Sequence, residues 1–361
     1  MEPLIKKWQG EEVLIRYDAP ADAWVVIAVH STVLGPGAGG TRMKPYRDLK
    51  EALEDALRLS EGMTLKYAVS GFPGGGAKAV IAVPKDLAGD DRRGLLRRYG
   101  ELVKQLGGLF YTGPDVGTSP IDMNVIADTG APYIFCRTPE CGGAGDSGPA
   151  TALGVFSAIQ AVCGQLYGSE ALEGRSVLVQ GVGSVGRRLV DLLLDARADV
   201  MFTDVDAFAV RHFRDNVGLP FIEPGAVYDT ECDIFSPCAY GSILNRDSID
   251  RLKCRAVAGG ANNQLSEPAD ADRLQRRGIL YAPDYAVNIG GAMAIIGMEA
   301  LGWSKAEADE KVGGVKDTLY RIFDLSAEKG MTTDAAARQI ASERIHAGHK
   351  GLNRSSSQGT T

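Results

Sequence analysis

Two lysines, Lys66 and Lys78, lie twelve residues apart on either side of a glycine-rich turn at residues 74–76, in the stretch MTLKYAVSGFPGGGAKAVI. Glycine allows positive φ values and a close approach of the backbone to a small ligand, so this turn can present Lys78 to a bound molecule. A lysine among apolar and glycine neighbours is poorly hydrated, and a second ammonium nearby further favours the neutral amine. Lys78 is therefore a candidate general base, and the plainer alternative is a solvated lysine in a turn.

A helix before this turn and a strand after it are predicted to hold the two lysines in place. The residues that recur at helical spacing before the turn are Leu49, Leu53, Ala56, Leu57 and Ser60. They predict an amphipathic helix with Lys66 near its end. After the turn, the apolar residues 79–83 are closed by Pro84 and predict a buried strand. A further helix is predicted with Asp90 or Asp91 as its cap, and its apolar face would be Leu95, Leu96, Tyr99, Leu102, Val103 and Leu106.

A carboxylate follows the next predicted strand. This strand is predicted to end at residues 110–111, and Ser119 followed by Pro120 predicts the start of a helix. These boundaries place Asp115 in a short loop at the same edge of the sheet as Lys78. The alternative is an ordinary turn aspartate.

Two strands are predicted near the N-terminus, at residues 11–18 and 23–31. The glycine cluster GPGAGGTRM at 35–43 follows them. It is either a plain loop or a carboxylate site, because Gly39 and Gly40 would let a carboxylate reach backbone N–H groups. The residues alone leave both interpretations open.

A GxGxxG pattern opens a predicted second domain. The glycines and the residues between them are Gly181, Val182, Gly183, Ser184, Val185 and Gly186. A predicted strand at 177–180 precedes them, a helix at 185–194 follows, and the next strand ends at Asp204, eighteen residues after the last glycine. This whole unit predicts a dinucleotide site, with the pyrophosphate at the helix N-terminus and Asp204 on the ribose hydroxyls. An aspartate repels a 2′-phosphate, so NAD is favoured over NADP.

Three more strand-like segments begin at residues 232, 255 and 278. Open α/β sheets bind ligands beyond the carboxyl ends of their strands, so Ala239, Asn262 and Asn288 are expected to face the nicotinamide. The alternative is that the asparagines only form turns.

The composition is that of an ordinary globular protein with room for two cores, because 45% of the 361 residues are hydrophobic and 24% are charged. The net charge of −7 argues against a nucleic-acid partner. No membrane span and no signal-peptide region are evident in the sequence, which predicts a cytoplasmic protein without a membrane partner. The six cysteines form no CxxC pair and are expected to be reduced thiols, with no metal site.

The small residues at 141–154 predict a hinge between the two domains. Residues 304–346 are predicted to be helical, with Ser304 and Thr333 as caps. The polar tail at 351–361 is predicted to be disordered.

Eight ordered motifs together resemble the amino acid dehydrogenase family that includes leucine, valine, phenylalanine and tryptophan dehydrogenases, a branch of the glutamate dehydrogenase superfamily. They are GPGAGGTRM, EGMTLKYAVS, GGGAKAVI, TGPDVGT, GVGSVG, CDIFSPCA, AGGANNQL and ILYAPDYAVNIGG. The resemblance runs over nearly the whole chain. It implies an α/β fold with a cleft between two domains: a substrate-binding and oligomerisation domain with a mixed sheet at 1–145, and a Rossmann-type NAD-binding domain at 146–330. The C-terminal helices at about 330–350 would pack back on the first domain.

The resemblance also implies a function, the NAD-dependent, reversible oxidative deamination of an L-amino acid to a 2-oxo acid and ammonia by a homo-oligomer. Lys78 would activate water for attack on the imino acid, and Asp115 would relay protons to and from nitrogen. The substrate carboxylate would be bound by Lys66 and the backbone N–H of Gly40. The substrate amino group would be bound by the Pro114 carbonyl and Asn262, and Thr151 would orient the nicotinamide carboxamide.

The side-chain pocket implied by the resemblance consists of Ala38, Met63, Gly113, Ile289 and Ala292. Ala38 replaces a larger aliphatic residue of leucine-type members, and Gly113 with Pro114 resembles phenylalanine-type members. An aromatic substrate, phenylalanine first, is therefore expected, and branched-chain amino acids or tryptophan are the alternatives.

Three departures from the family pattern bear on the chemistry less than on specificity. Ala77 replaces a glycine that usually precedes the lysine, Ile289 replaces a small alanine, and Asp199 stands at a strand start that is usually apolar. A glutamate substrate would need a cationic partner for its distal carboxylate, and none is identified. A protein that senses NAD or an amino acid without turnover is the rival to an enzyme, and such proteins usually lose a catalytic residue. Here Lys66, Lys78 and Asp115 are all present.

Overall fold

The computed structural model describes residues 1–85 and 87–358, with side chains described up to residue 350. The chain divides into two units. The first unit comprises Met1–Asp146, Glu299–Leu301 and the chain from Ala341, and the second comprises Ser147–Met298 and Gly302–Ile340.

The first unit contains a five-stranded mixed sheet. Its strands are β1 (Glu12–Asp18), β2 (Ala23–Ser31), β3 (Gly37–Lys44), β4 (Gly75–Ala82) and β5 (Phe110–Pro114), and its helices are α1 (Glu2–Trp8), α2 (Leu49–Ser70), α3 (Gly89–Gln105) and α4 (Pro120–Gly130). The strand order is β1-β2-β4-β3-β5. β2 is antiparallel to β1 and β4, whereas β3 is parallel to both β4 and β5. The two N-terminal strands and the mixed sheet are as predicted.

The two faces of this sheet are covered by different helices. Val26 and Val80 pack with α2 in one buried cluster. Ile27 and Ile81 belong to a second cluster with the apolar faces of α3 and α4. Because side chains alternate along a strand, Lys78 shares with Val80 the face on which α2 packs, which we name the α2 face.

The glycines of the predicted turn serve close packing rather than positive φ. Gly75 and Gly76 begin β4, and none of residues 74–76 has a positive φ. A Cβ on Gly76 would lie 2.0 Å from Thr64 Oγ1 on α2, and one on Gly75 would lie 2.3 Å from the Ser31 carbonyl oxygen. The left-handed residue in this connection is Gly71, at φ 71°, which ends α2.

Other boundaries in the first unit also differ from the sequence prediction. The glycine cluster at 35–43 is not a plain loop, because from Gly37 onward it belongs to β3, which lies between β4 and β5. A Cβ on Gly39 would lie 1.8 Å from the Ala77 carbonyl oxygen of β4, so the neighbouring backbone leaves no room for a larger side chain. Ala88, without a side-chain hydrogen bond, is the N-cap of α3 in place of Asp90 or Asp91. The strand predicted to end at 110–111 begins at Phe110. The predicted cap of α4 is confirmed, since Ser119 accepts from Asp122 N.

The second unit contains a five-stranded parallel sheet of order β10-β9-β8-β6-β7. Its strands are β6 (Ser176–Gln180), β7 (Asp199–Thr203), β8 (Glu231–Pro237), β9 (Lys253–Val257) and β10 (Leu280–Tyr281). Its helices are α5 (Gly148–Tyr167), α6 (Gly186–Asp195), α7 (Ala207–Arg211), α8 (Arg246–Arg251), α9 (Ala269–Arg276), α10 (Asp284–Val287), α11 (Gly290–Ala300), α12 (Lys305–Gly313), α13 (Val315–Lys329) and α14 (Thr333–Gln358). The last helix begins in the second unit and continues into the first. The predicted α/β class is confirmed.

Several predictions for the second half of the chain need correction. The predicted hinge at 141–154 is helical from Gly148 onward. Ser304 caps α12 as predicted, but Thr332 rather than Thr333 accepts the N-terminal bond of α14, from Ala335 N at 3.1 Å. α14 continues to Gln358, past the start of the tail predicted to be disordered, and residues 359–361 of that prediction lie outside the described residues.

Helix α5 is long and apolar enough to cross a membrane by length and composition alone, although no membrane span was expected from the sequence. Half of this stretch is buried in the protein, and α5 packs against α6, α12 and α13. A buried core helix meets the same criteria, so α5 is weak evidence for a membrane span.

Candidate active site

Lys78 and Asp115 form a buried ion pair in the first unit. Lys78 is the fourth residue of β4 and is 7% exposed. Its Nζ lies 2.7 Å from Oδ2 of Asp115, which directly follows β5. The structure therefore brings the two predicted residues together, with Lys78 inside the strand rather than at its mouth.

The lysine reaches Asp115 by crossing β3, the strand that lies between β4 and β5. The register places Gly40 beside Lys78, because Thr41 pairs with Ala79. A Cβ on Gly40 would lie 2.8 Å from the Pro114 carbonyl oxygen and 3.2 Å from Lys78 Nζ. The missing side chain at Gly40 is what leaves room for the lysine.

The loop that carries Asp115 is tied to β3. The backbone N–H of Asp115 donates to Thr118 Oγ1 at 2.9 Å, and that hydroxyl donates to the Thr41 carbonyl at 2.7 Å. Gly117 has φ 82°, and a Cβ on it would lie 1.7 Å from the Met43 carbonyl oxygen. These contacts fix the carboxylate at the end of the sheet.

A second cation contacts the same carboxylate oxygen, and sequence reasoning assigned it no role. Arg42 Nε lies 3.1 Å from Asp115 Oδ2, and its guanidinium also donates to Asp55 of α2 at 3.0 Å. Burial raises the pKa of Asp115, but the charges of Lys78 and Arg42 outweigh it and hold that pKa well below its usual range. The signal in the sequence was the arginine of GPGAGGTRM, two residues after Gly40 and therefore on the same face of a strand.

Lys66 and Met63 lie on α2 and are half-buried, Lys66 four residues before the end of the helix as predicted. Two further predicted residues lie on the sheet. Ala38 pairs with Gly76, and Gly113 pairs with Gly40, so both belong to the α2 face. This part of the face consists of small residues beside Lys78.

The GxGxxG turn of the second unit has the geometry of a phosphate-binding turn. Gly181 has φ 91°, and a Cβ on Gly186 would lie 1.9 Å from the Gly181 carbonyl oxygen. A Cβ on Gly183, by contrast, would meet nothing within 4 Å. The chain itself therefore does not require glycine at Gly183, whereas a pyrophosphate close to the backbone and the start of α6 would.

Asp204 lies directly after β7, at the predicted place. Its Oδ2 accepts from Val182 N at 2.7 Å and its Oδ1 from Asp206 N at 2.9 Å. These bonds hold the carboxylate beside the glycine-rich turn, where it can accept hydrogen bonds from a ribose. Between the glycines, Ser184 is exposed and Val185 is half-buried.

The two predicted asparagines contact each other. Asn288 Nδ2 donates to Asn262 Oδ1 at 2.9 Å, and Asn288 is 6% exposed whereas Asn262 is exposed. Asn288 Oδ1 is buried without a hydrogen-bond partner. An amide that is satisfied on one side and orphaned on the other suits a polar ligand group. Ala239, the third predicted residue, packs against Gly181. A Cβ added to Gly181 would lie 2.6 Å from the Cβ of Ala239.

The remaining predicted residues of the second unit have mixed surroundings. Thr151 Oγ1 donates to the Ser147 carbonyl at 2.9 Å and keeps its lone pairs as acceptors. Ala292 is half-buried. Ile289 is fully buried, so it offers no exposed surface to a substrate, and its place in the specificity pocket stays a prediction.

Metal chemistry has no candidate among the residues that the structure describes, since no three His, Cys, Asp or Glu side chains are grouped to hold an ion. The six cysteines are free thiols, and Cys141 is the exposed one.

Two family models match the chain. Residues 22–131 match the Glu/Leu/Phe/Val dehydrogenase dimerisation domain, and residues 203–351 match the Glutamate/Leucine/Phenylalanine/Valine dehydrogenase model. The first range contains Lys66, Lys78 and Asp115, and the second begins just before Asp204.

Similar proteins cover almost the whole chain. Leucine dehydrogenase of Thermoactinomyces intermedius is 38% identical over 94% of this chain and 92% of its own. Phenylalanine dehydrogenase of Caldalkalibacillus thermarum is 40% identical over 93% and 91%. The crystal structure of L-tryptophan dehydrogenase from Nostoc punctiforme superposes with a TM-score of 0.82 at 36% identity, covering 97% of this chain and 100% of that one. The chain therefore belongs to the Glu/Leu/Phe/Val dehydrogenase family and is an L-amino acid dehydrogenase that uses NAD(P).

Proposed function

We propose that this enzyme catalyses the NAD-dependent, reversible oxidative deamination of an aromatic L-amino acid, phenylalanine first, to the 2-oxo acid and ammonia. The observation that carries the proposal is the buried pair of Lys78 and Asp115 at 2.7 Å, in a chain whose other unit has the dinucleotide turn. The overall change consumes one water and NAD⁺ and yields NADH, ammonia and a proton.

The first unit supplies the groups for proton transfer. NAD⁺, which the glycine-rich turn and Asp204 of the second unit would hold, would supply the hydride acceptor for the amino acid α-carbon. Lys78, in its neutral form, takes a proton from the water that attacks the resulting imino acid. Asp115, 2.7 Å away, receives protons from nitrogen and returns them, so that ammonia can leave.

Substrate binding uses groups around this pair. Lys66 and the N–H of Gly40 bind the carboxylate, while the Pro114 carbonyl and Asn262 bind the amino group. The position of the Pro114 carbonyl oxygen beside Gly40 supports this arrangement. The proposal requires that these groups and those of the second unit act on one substrate.

The preference for NAD over NADP is supported by Asp204. Both of its oxygens are held by backbone N–H groups, so the carboxylate cannot easily turn away from a ribose. A 2′-phosphate beside it would meet a fixed negative charge.

The aromatic preference is supported by the small residues Ala38 and Gly113 on the α2 face. A Cβ on Gly113 would lie 3.5 Å from Cys136 Sγ, an ordinary contact, so packing does not demand glycine there and the space can serve a side chain of the substrate. A branched-chain substrate is the second candidate, supported by the 38% identity to a leucine dehydrogenase.

Initial rates of NADH formation with phenylalanine, tryptophan, leucine and valine rank these candidates. We expect kcat/KM to be highest for phenylalanine. Higher values for leucine and valine would favour the branched-chain candidate, higher values for tryptophan would make the indole amino acid the substrate, and no turnover with any amino acid would overturn the proposed function. Parallel rates with NADP⁺ test the cofactor preference.

We also propose that the enzyme is a cytoplasmic homo-oligomer, at least a dimer. The match of residues 22–131 to a dimerisation domain supports this. Light scattering after size-exclusion chromatography should give at least twice the mass of one chain, and a monomer at micromolar concentration would contradict it.

A further inference from the structure

Arg42 connects the candidate catalytic carboxylate to helix α2. It lies on the α2 face of β3, and its side chain is 15% exposed. Nε is 3.1 Å from Asp115 Oδ2, and Nη1 is 3.0 Å from Asp55 Oδ2. One guanidinium therefore bridges two carboxylates of different elements.

The far side of this bridge is itself fixed. Asp55 Oδ2 also accepts from the Tyr46 hydroxyl at 2.7 Å, and Asp55 Oδ1 accepts from Arg58 at 2.8 Å. Burial raises the pKa of Asp55, but the Tyr46 hydrogen bond and the Arg42 charge outweigh it and lower that pKa below its ordinary value. Asp55 is thus an anion that holds Arg42 in place.

We propose that Arg42 is a positioning residue that keeps Asp115 ionised and directed at Lys78 while Lys78 gains and loses its proton. This inference rests on the proposed function of the same site. The guanidinium stays charged throughout, because it does not lose its proton in proteins.

The physical need for Arg42 arises when Lys78 is neutral. A general base must release its proton before it acts, and Asp115 then loses the charge of its 2.7 Å partner. A buried carboxylate without a cation takes up a proton. Arg42, on the same oxygen, prevents this, so Asp115 remains able to accept a proton from the substrate nitrogen.

The charged and titratable groups around Asp115 are consistent with this role. They are Lys78 of β4, Arg42 of β3, Asp55 and Arg58 of α2, Tyr46 before α2, and, on the other side of the Asp115 loop, Arg92 of α3 and Asp122 of α4. Arg92 and Asp122 pair with each other at 3.0 Å. Burial raises the pKa of Tyr46, so its phenol is neutral. Among the ion pairs that the structure describes for Asp115, the one with Arg42 therefore remains when Lys78 is neutral.

The test compares Arg42→Gln with Arg42→Lys in the full-length enzyme. In Arg42→Gln we expect the acidic limb of the kcat profile to move up by about one pH unit or more. The catalytic pair must lose its proton before it acts, and with one cation fewer beside it Lys78 and Asp115 both hold a proton to higher pH. KM for the amino acid should change less than kcat. Arg42→Lys should move the limb back towards its original pH while kcat stays low, because an ammonium cannot bridge both carboxylates as the planar guanidinium does.

A matched control is Arg98→Gln, which removes another ion pair of the first unit, that between Arg98 and Asp18 at 2.7 Å. It should leave the acidic limb in place. The contrary outcome is that Arg42→Gln and Arg42→Lys lose the same amount of kcat and the same number of degrees of melting temperature, with no shift of the acidic limb. That outcome would show a merely structural role and overturn the proposal.

A readout without turnover separates this inference from the proposed function. The titration of Asp115 can be followed by carboxyl ¹³C NMR of aspartate-labelled protein, with Asp115→Asn to identify the signal. We expect Asp115 to titrate at higher pH in Arg42→Gln than in the wild type, and equal titrations would overturn the role of Arg42. A wild type that turns over no amino acid would overturn the function, while this titration would still decide the role of Arg42.

Discussion

At the scale of single residues, the site depends on one absent side chain as much as on those present. Lys78 begins on β4 and Asp115 follows β5, and Gly40 on the strand between them leaves the space that the lysine crosses. Arg42 then contacts the same carboxylate oxygen as Lys78. Each charged group in this row is paired, which is the condition for burying charge at acceptable cost.

Substitution of Lys78 by alanine should abolish amino acid turnover and leave NAD binding unchanged. A general base contributes about 10²–10⁴-fold to the rate, so kcat should fall by at least that factor. The fold should survive because Asp115 keeps Arg42 as a partner. NADH absorbance measures the first effect and calorimetric titration with NAD⁺ the second.

The matched control for this variant is Lys50→Ala, at an exposed lysine of α2 whose side chain is 63% accessible. It should keep full activity. Turnover within tenfold of the wild type in Lys78→Ala would contradict the role given to Lys78.

Sequence reasoning found Lys78 and Asp115 because each adjoins a strong local signal, an apolar strand and a capped helix. It did not find Arg42 or Asp55, because their meeting depends on which strand lies next to which, and local pattern does not contain that order. Ser119 could be identified as a cap since capping is a contact within four residues.

At the scale of elements, glycine was the residue type most often misread. In β3 and β4 it marks close contact between backbones, so its low strand propensity misled the prediction of a loop and a turn. Long periodic helices such as α2 and α3 were predicted well, because an apolar stripe at helical spacing fits neither a strand nor a loop. The two-residue strand β10 lies below the length at which pattern is informative.

Substitution by alanine should change the free energy of unfolding in opposite directions at two glycines, one in α2 and one in β4. Gly62 lies inside α2, and a Cβ there would meet nothing within 4 Å. Gly62→Ala should therefore raise the free energy of unfolding by about 0.5–1 kcal/mol, because alanine favours helix over glycine. Gly76→Ala should lower it by about 1–3 kcal/mol, since its Cβ would lie 2.0 Å from Thr64 Oγ1.

Urea unfolding followed by circular dichroism measures both changes. Each variant is the matched control for the other, because both add one methyl group to the first unit. Destabilisation by Gly62→Ala equal to that of Gly76→Ala would contradict the packing argument.

At the scale of the whole molecule, the fold class followed from the family resemblance that the eight ordered motifs carry, and the GxGxxG unit independently indicated the parallel sheet of the second domain. Side-chain specificity did not follow. The relatives named for leucine, phenylalanine and tryptophan are all 36–40% identical to this chain, so overall identity does not distinguish the three substrate classes.

The buried thiols make the molecule as a whole sensitive to alkaline pH. Burial raises the pKa of Cys163 to about 11 and that of Cys254 to about 12, and it also raises the pKa values of Cys136 and Cys232. In the unfolded chain a thiol loses its proton near pH 8.5. Stability is therefore fully present below that pH and is lost as the pH rises towards the folded-state values, because the unfolded state alone gains from ionisation.

The melting temperature should consequently fall from pH 8 to pH 10.5, and less steeply in a Cys163→Ala/Cys254→Ala variant. Each thiol that stays protonated in the folded state lowers the free energy of unfolding by up to about 1.4 kcal/mol per pH unit above its unfolded pKa. Two such thiols change the slope of melting temperature against pH enough for calorimetry to resolve. Cys141→Ala, at the exposed thiol, should follow the wild-type slope. Since lysines and tyrosines titrate equally in all three proteins, identical slopes would mean that these two thiols ionise at the same pH in the folded and unfolded chains, against the burial that the structure shows.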